Sequence, residues 1–234
     1  MMWIVAEVDL RNPLLWAVLI GWVLSVILHE FAHGIVAYWG GDYTIRERGG
    51  LTLNPLQYID PMMSLVIPGV ILLMGGIPLP GGSTYIRRDL LRNRFWESAV
   101  ALAGPVMNLL VMVACLIPLH PRFGWVGSVD HSTWTTAQLF LGAMAVLQLL
   151  SLLFNLVPVP PLDGFETIAP FLPQQWTTKV TAPPMSTFIF FVYFIILWNS
   201  GVVGAVLLGF ARILHAMGFG AGVILAYVRA FSGQ

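Results

Sequence analysis

The stretch Leu14–Trp39, LLWAVLIGWVLSVILHEFAHGIVAYW, decides how this chain is read. Twenty-six residues of helix reach about 39 Å, enough to cross a hydrocarbon core of about 30 Å. Within this apolar run stand His29-Glu30-Phe31-Ala32-His33. The spacing H-E-x-x-H sets two imidazoles one helical turn apart on one face, where both can offer a ring nitrogen to one metal ion. In water-soluble metalloproteases the same arrangement holds zinc, and the intervening Glu is the general base. Ionisable groups at membrane depth are costly, so an idle His-Glu-His set there would be destabilising. A functional reading is therefore preferred over chance, and it requires a third ligand.

The composition sets the surroundings. Of 234 residues, 58% are hydrophobic and 9% charged, and mean hydropathy is +0.83. Soluble domains carry about 25% charged residues, so this is an all-α polytopic membrane protein. The formal net charge of zero leaves no nucleic-acid footprint. Cys115 is the lone cysteine, which excludes an internal disulfide and a cysteine metal site; it reads as a small buried hydrophobe. No cleavable signal is expected, because the first apolar stretch carries the metal motif. The polar stretches are too short for an appended soluble core, so residues 1–234 are expected to form a single membrane domain.

Beyond Trp39, Gly40-Gly41-Asp42 ends the first span. Residues 43–53 hold short β-branched runs split by Gly49-Gly50, which predicts a small β-hairpin or an ordinary loop. A strand edge there would pair with an extended substrate. Residues 62–77 are apolar but reach only about 24 Å as helix, which suits a short or re-entrant segment. Arg87, Arg88, Arg92 and Arg94, with Arg46 and Arg48 before them, place both flanking loops on the cytoplasmic side. If both are cytoplasmic, 62–77 makes no net crossing.

Residues 95–119 form the next expected span. Pro105 frees a backbone carbonyl and Gly104 lets a neighbouring helix approach. Asn108 is either an interhelical hydrogen bond or a donor to substrate or oxyanion. His120 and His131 read as surface residues. Residues 136–157 form a third span, broken by Pro158-Val159-Pro160-Pro161, where extended backbone is expected. Asp163 follows. It suits a helix N-cap or a metal ligand; with a metal motif short of one ligand, the ligand reading is preferred. Residues 185–228 are apolar, interrupted at Asn199-Ser200-Gly201, and form C-terminal helices. His215 is excluded as a ligand by Arg212 one turn away.

Three motifs thus occur in order: H-E-x-x-H at 29–33, G-P-x-x-N at 104–108, and N-x-x-P-x-P-P-L-D-G at 155–164. Together they closely resemble the site-2 protease family of intramembrane zinc metalloproteases, over roughly residues 14–175. Residues 51–61, LTLNPLQYIDP, also look like the small bacterial members, which commonly have His where Tyr58 stands; no metal role is carried to Tyr58. The resemblance implies a three-helix catalytic core and one zinc ion held by His29, His33 and Asp163. It implies Glu30 as general base, and Asn108 and Asn155 near substrate or oxyanion. It also implies transmembrane protein or peptide substrates and a bacterial plasma membrane with the active site toward the cytoplasm. Many members insert a PDZ domain and others append a nucleotide-sensing domain; neither is expected here. Two other readings compete. A metal transporter needs further acidic or histidine residues along the spans, and few occur. A proteolytically dead scaffold would lack Glu30 or a ligand, and all are present.

Overall fold

The computed structural model describes residues 11–69, 80–123, 125, 134–219 and 222–232. Helix α1 is Pro13–Gly40. Asn12 starts it: its side-chain oxygen accepts the Leu14 N–H, and Pro13 supplies a preset φ. Gly41 stops it at φ 122°, a conformation that favours glycine. A short helix α2, Thr44–Glu47, follows. Helix α3, Arg94–Leu116, is capped by Asn93, whose side chain accepts from two backbone N–H groups, and tightens into a 3-10 turn at Ile117–Leu119. Helix α4, Thr136–Asn155, opens with a capping box between Thr135 and Gln138. Then come α5, Asp163–Ile168, α6, Gln174–Thr181, α7, Met185–Asn199, α8, Val202–Ala216, and α9, Gly222–Ser232.

Helices α1, α3 and α4 are long and apolar enough to cross a membrane; α6 and α7, bent 73° from one another, make up a fourth if counted as one span. The three long helices pack on one another, α5 packs on α3, and α9 packs on α4. The α4–α9 contact is close because Gly142 has no side chain: a Cβ there would lie 2.7 Å from that of Ala226. A large apolar cluster fills this end of the bundle, from Leu14, Leu15 and Val18 across Leu116 and Val146 to Leu214, Val223 and Phe231. Asn12 also ties the bundle together, since its Nδ2 donates to the carbonyls of Arg229 and Ala230 at 3.1 and 3.3 Å. The chain breaks expected near residue 200 are real: Gly201, at φ 71°, separates α7 from α8.

Two expectations are corrected. No strand occurs among the described residues, and 43–53 is helical turn and bends rather than a β-hairpin. The cause is Asp42. Its carboxylate is fully buried and accepts from Arg48, from the Thr44 hydroxyl and from the backbone N–H of Arg87. That folds the segment back on the end of α1. The proline-rich 158–161 is likewise not extended but a run of tight turns, with Val159 N–H bonding Val157 and Leu162 N–H bonding Val159, both at 2.8 Å. Of 62–77, the part 62–69 is helical; residues 70–77 lie outside the described residues, as does His131. His120 is a tether, its Nε2 2.9 Å from the Met217 carbonyl.

Asn12→Ala removes both the cap of α1 and the tie to α9. Losing the cap alone costs about 1 kcal/mol, about 3 °C in Tm. Asn12→Asp, which keeps the capping oxygen, is expected to lose less. Thermal unfolding in detergent measures both.

Candidate metal centre

His29 and His33 lie one turn apart on the buried side of α1. Their Nε2 atoms are 3.1 Å from each other. Asp163, at the start of α5, meets them from across the bundle: Oδ2 is 3.1 Å from His29 Nε2 and Oδ1 is 3.4 Å from His33 Nε2. Among the described residues these three are the group of metal-ligating side chains that converges, with one ligand atom from each within 4.8 Å of the others.

The donor set fits a tetrahedral metal ion. Zn–N bonds of about 2.0–2.1 Å imply ligand–ligand edges of about 3.3 Å, close to all three observed separations. His33 Nδ1 donates to the Val100 carbonyl at 2.6 Å, which leaves a lone pair on Nε2 in the neutral ring. Asp163 Oδ2 is buried without a hydrogen bond. Three lone-pair-bearing atoms facing one centre repel unless a cation lies among them.

Local sequence explains each placement. Gly104 of α3 faces the two rings, and a Cβ there would overlap Nε2 of both histidines. Pro105 withholds an N–H from Ala101, but the carbonyl that receives His33 is that of Val100, one residue earlier. Asp163 is delivered by the proline turns. Gly164 permits their return, because a Cβ there would overlap the Leu156 carbonyl. Helix α5 is then held twice. Ser98 on α3 donates to the Thr167 carbonyl at 2.6 Å, and Glu166 pairs with Arg88.

Glu30 is buried. An extended strap, residues 80–87, runs along α1 above it. Trp22 Nε1 bonds the Pro80 carbonyl, and a Cβ on Gly82 would lie 3.0 Å from Glu30 Cγ. The Thr84 hydroxyl donates to the Glu30 carbonyl and Arg87 N–H to Asp42. Ser83 N–H bonds the carbonyl of Tyr58. Tyr58 is itself buried, and its hydroxyl donates to Thr52 at 2.6 Å. Burial and the nearby Glu30 charge push that hydroxyl above the usual phenol range, so it stays a neutral donor. A groove of about 470 Å³ lies along the strap, lined by Gln57, Asp60, Ser83–Ile86 and Arg88 among others.

Asn108 and Asn155 come together around a residue that motif reading missed. Asn108 Nδ2 donates to the Ser151 hydroxyl at 2.8 Å, and Asn155 Nδ2 approaches it at 3.4 Å. The interhelical reading of Asn108 is thus realised, one turn from Gly104 on the same helix. Ser151 carried only a weak signal: a hydroxyl one turn before Asn155 in an otherwise apolar helix. Arg88 and Glu166 had none, because they pair across 78 residues, and the bond from Arg87 N–H to Asp42 was hidden for the same reason.

Fold and site together define a helical membrane protein with a buried two-histidine, one-carboxylate metal centre. Comparison with known proteins narrows this class. Over 186 residues the chain is 39% identical to "Putative zinc metalloprotease Rip2" of Mycolicibacterium smegmatis, covering 77% of this chain and 68% of that protein. The protein of the same name in Mycobacterium tuberculosis is 34% identical over 192 residues, 80% and 71% of the two chains. "Putative zinc metalloprotease YwhC" of Bacillus subtilis is 33% identical over 172 residues, 73% and 75%. The chain belongs to the site-2 protease family. No family model and no solved structure matches it.

Gly104→Ala is expected to lower metal affinity at least about tenfold, whereas Gly209→Ala, with open space around it, leaves it unchanged. Metal content after dialysis against graded chelator decides. By the same assay Glu166→Gln weakens binding about tenfold, and exchanging the pair as Arg88→Glu with Glu166→Arg restores it.

Proposed function

We propose that this protein is an intramembrane zinc metalloprotease that hydrolyses peptide bonds in or near transmembrane segments of membrane-protein substrates. The observation that carries this reading is the convergence of His29, His33 and Asp163 beside a buried Glu30, inside a helix long enough to span. His29, His33 and Asp163 would hold the ion. When bound, zinc supplies Lewis acidity and makes a nearby water acidic enough to ionise near neutral pH. The Glu30 carboxylate takes the proton of the attacking water and passes it to the leaving amine. Asn108 spends one N–H on Ser151; its second remains for a substrate carbonyl or the developing oxyanion, and Asn155 assists from the end of α4.

A substrate helix must unwind before its carbonyl can be attacked. With 43–53 folded into turns, the strap takes over the role first expected there. Among the described residues the backbone groups of Tyr85 and Ile86 have no partner, and they line the groove. An extended substrate flank lies along them in this reading. The arginine-rich loops set the catalytic end toward the cytoplasm of a bacterial plasma membrane.

Glu30→Gln should keep its metal yet cleave a transmembrane peptide about 100- to 10,000-fold more slowly. Asp163→Ala should lose metal and activity together. Unimpaired cleavage by Glu30→Gln sinks the proposal. Metal binding with no cleavage by the parent protein favours the transporter or scaffold instead.

A further inference from the structure

The C-terminal end of α1 and the N-terminal end of α3 meet where Arg92 N–H bonds the Gly40 carbonyl at 2.9 Å. Leu91 and Trp96 pack against Gly40. The ends of spanning helices lie at the membrane surface, and aromatic side chains gather there at headgroup level. This end exposes Trp39, Phe95, Phe171 and Trp176, the last two on or beside the segment that leads from α5 into α6.

Among these rings stand Arg92 and Arg94. The Arg94 guanidinium lies over two rings, 5.2 Å from the Phe171 centroid and 5.7 Å from that of Phe95. The two rings are themselves 5.4 Å apart. The Arg92 guanidinium lies over Trp96 at 5.6 Å. Three other arginines at this end are neutralised within the chain, Arg48 by Asp42, Arg87 by Asp89 and Arg88 by Glu166, and Arg46 lies over no aromatic ring among the described residues. Arg92 and Arg94 have no carboxylate in ion-pair reach among the described residues. An arginine resting over an aromatic ring keeps its N–H fork for a bidentate oxyanion. At this depth the abundant oxyanion is the lipid phosphate.

We propose that Arg92 and Arg94, on their floor of Trp96, Phe95 and Phe171, form a binding site for the headgroup of an anionic phospholipid. A zwitterionic headgroup brings its own cation beside two guanidinium groups; phosphatidylglycerol brings none. Phe171 closes the segment that begins with Asp163, so the lipid would rest against the element that carries the third ligand. The proposal needs membrane insertion only and is independent of proteolysis.

The full chain is placed in nanodiscs of equal parts dioleoylphosphatidylglycerol and dioleoylphosphatidylcholine, released, and weighed with retained lipid by native mass spectrometry. Two unpaired arginines predict about a 10- to 30-fold enrichment of phosphatidylglycerol in the first retained lipid. Arg92→Gln with Arg94→Gln is expected to bring this below threefold. Arg46→Gln with Arg87→Gln, which removes equal charge from the same end, is expected to leave it intact. Arg92→Lys with Arg94→Lys keeps the charge without the fork and is expected to lose most of the enrichment. The proposal is overturned if the parent shows no preference, if the Arg46/Arg87 control loses as much as the Arg92/Arg94 variant, or if the lysine pair retains the enrichment in full.

Discussion

The close approach of α1 and α3 at Gly104 is the constraint on which the rest of the molecule turns. With hydrogen in place of a side chain, α3 lies directly against the two imidazoles. Only then can the Val100 carbonyl accept the hydrogen bond of His33 Nδ1–H and aim its Nε2 at the shared centre. The same approach sets Ser98 against α5, which fixes the helix that presents Asp163. A methyl group at this point would displace the two histidines, their orienting carbonyl and the Asp163 carboxylate in one step.

Around that contact the polar groups follow a stripe. On α1 they are Ser25, His29 and His33, spaced by four, and all are buried. Ser25 returns its hydroxyl to the Gly21 carbonyl at 2.9 Å, so it adds no unmet group. On α3 and α4 the stripe continues through Asn108, Ser151 and Asn155. Polar side chains in hydrocarbon are tolerated where they find one another, at about 0.6–2 kcal/mol per bond. Concentrating them on the inner faces leaves the outer faces apolar, as a lipid-facing bundle requires.

What could be read from the chain beforehand was whatever depends on local spacing. H-E-x-x-H, the small residue before Pro105, and the acid after the proline break each fix a geometry within a few residues. The meeting of the two histidines with that acid was inferred from chemistry, since a metal held by two ligands needs a third; that Gly104 would face the histidine rings was not legible. The hairpin failed for the opposite reason. The β-branched run at 43–53 has strand propensity, but Asp42 is bonded to the backbone of Arg87, 45 residues on, and tertiary structure overrode propensity. The strap over Glu30 was invisible for a similar cause: Pro80 to Arg87 is the glycine- and hydroxyl-rich start of the loop read as basic over 78–94, and only its bonds to Trp22, Tyr58, Glu30 and Asp42 make it a wall. Nor could hydrophobicity alone say that α9 packs on α4, since every C-terminal helix is apolar.

The two ends of the bundle differ in a way that bears on how water reaches Glu30. At the N-terminal end of α1, Leu14, Leu15 and Val18 are sealed by α8 and α9 through Phe210, Leu214, Phe219 and Val223. The contacts among these side chains are apolar, and close-packed apolar interiors stay dry. At the other end Glu30 lies beneath a strap of glycine, serine and threonine. The groove beside that strap is lined by Gln57, Asp60 and Arg88. Hydrolysis at membrane depth consumes one water per bond, and the polar side of the molecule is the one that can supply it. The strap thus stands between the polar side and the Glu30 carboxylate, which in the proposed reaction would take the proton of that water. A substrate bound along its edge would share the same entry, which couples binding of the peptide to the wetting of the centre.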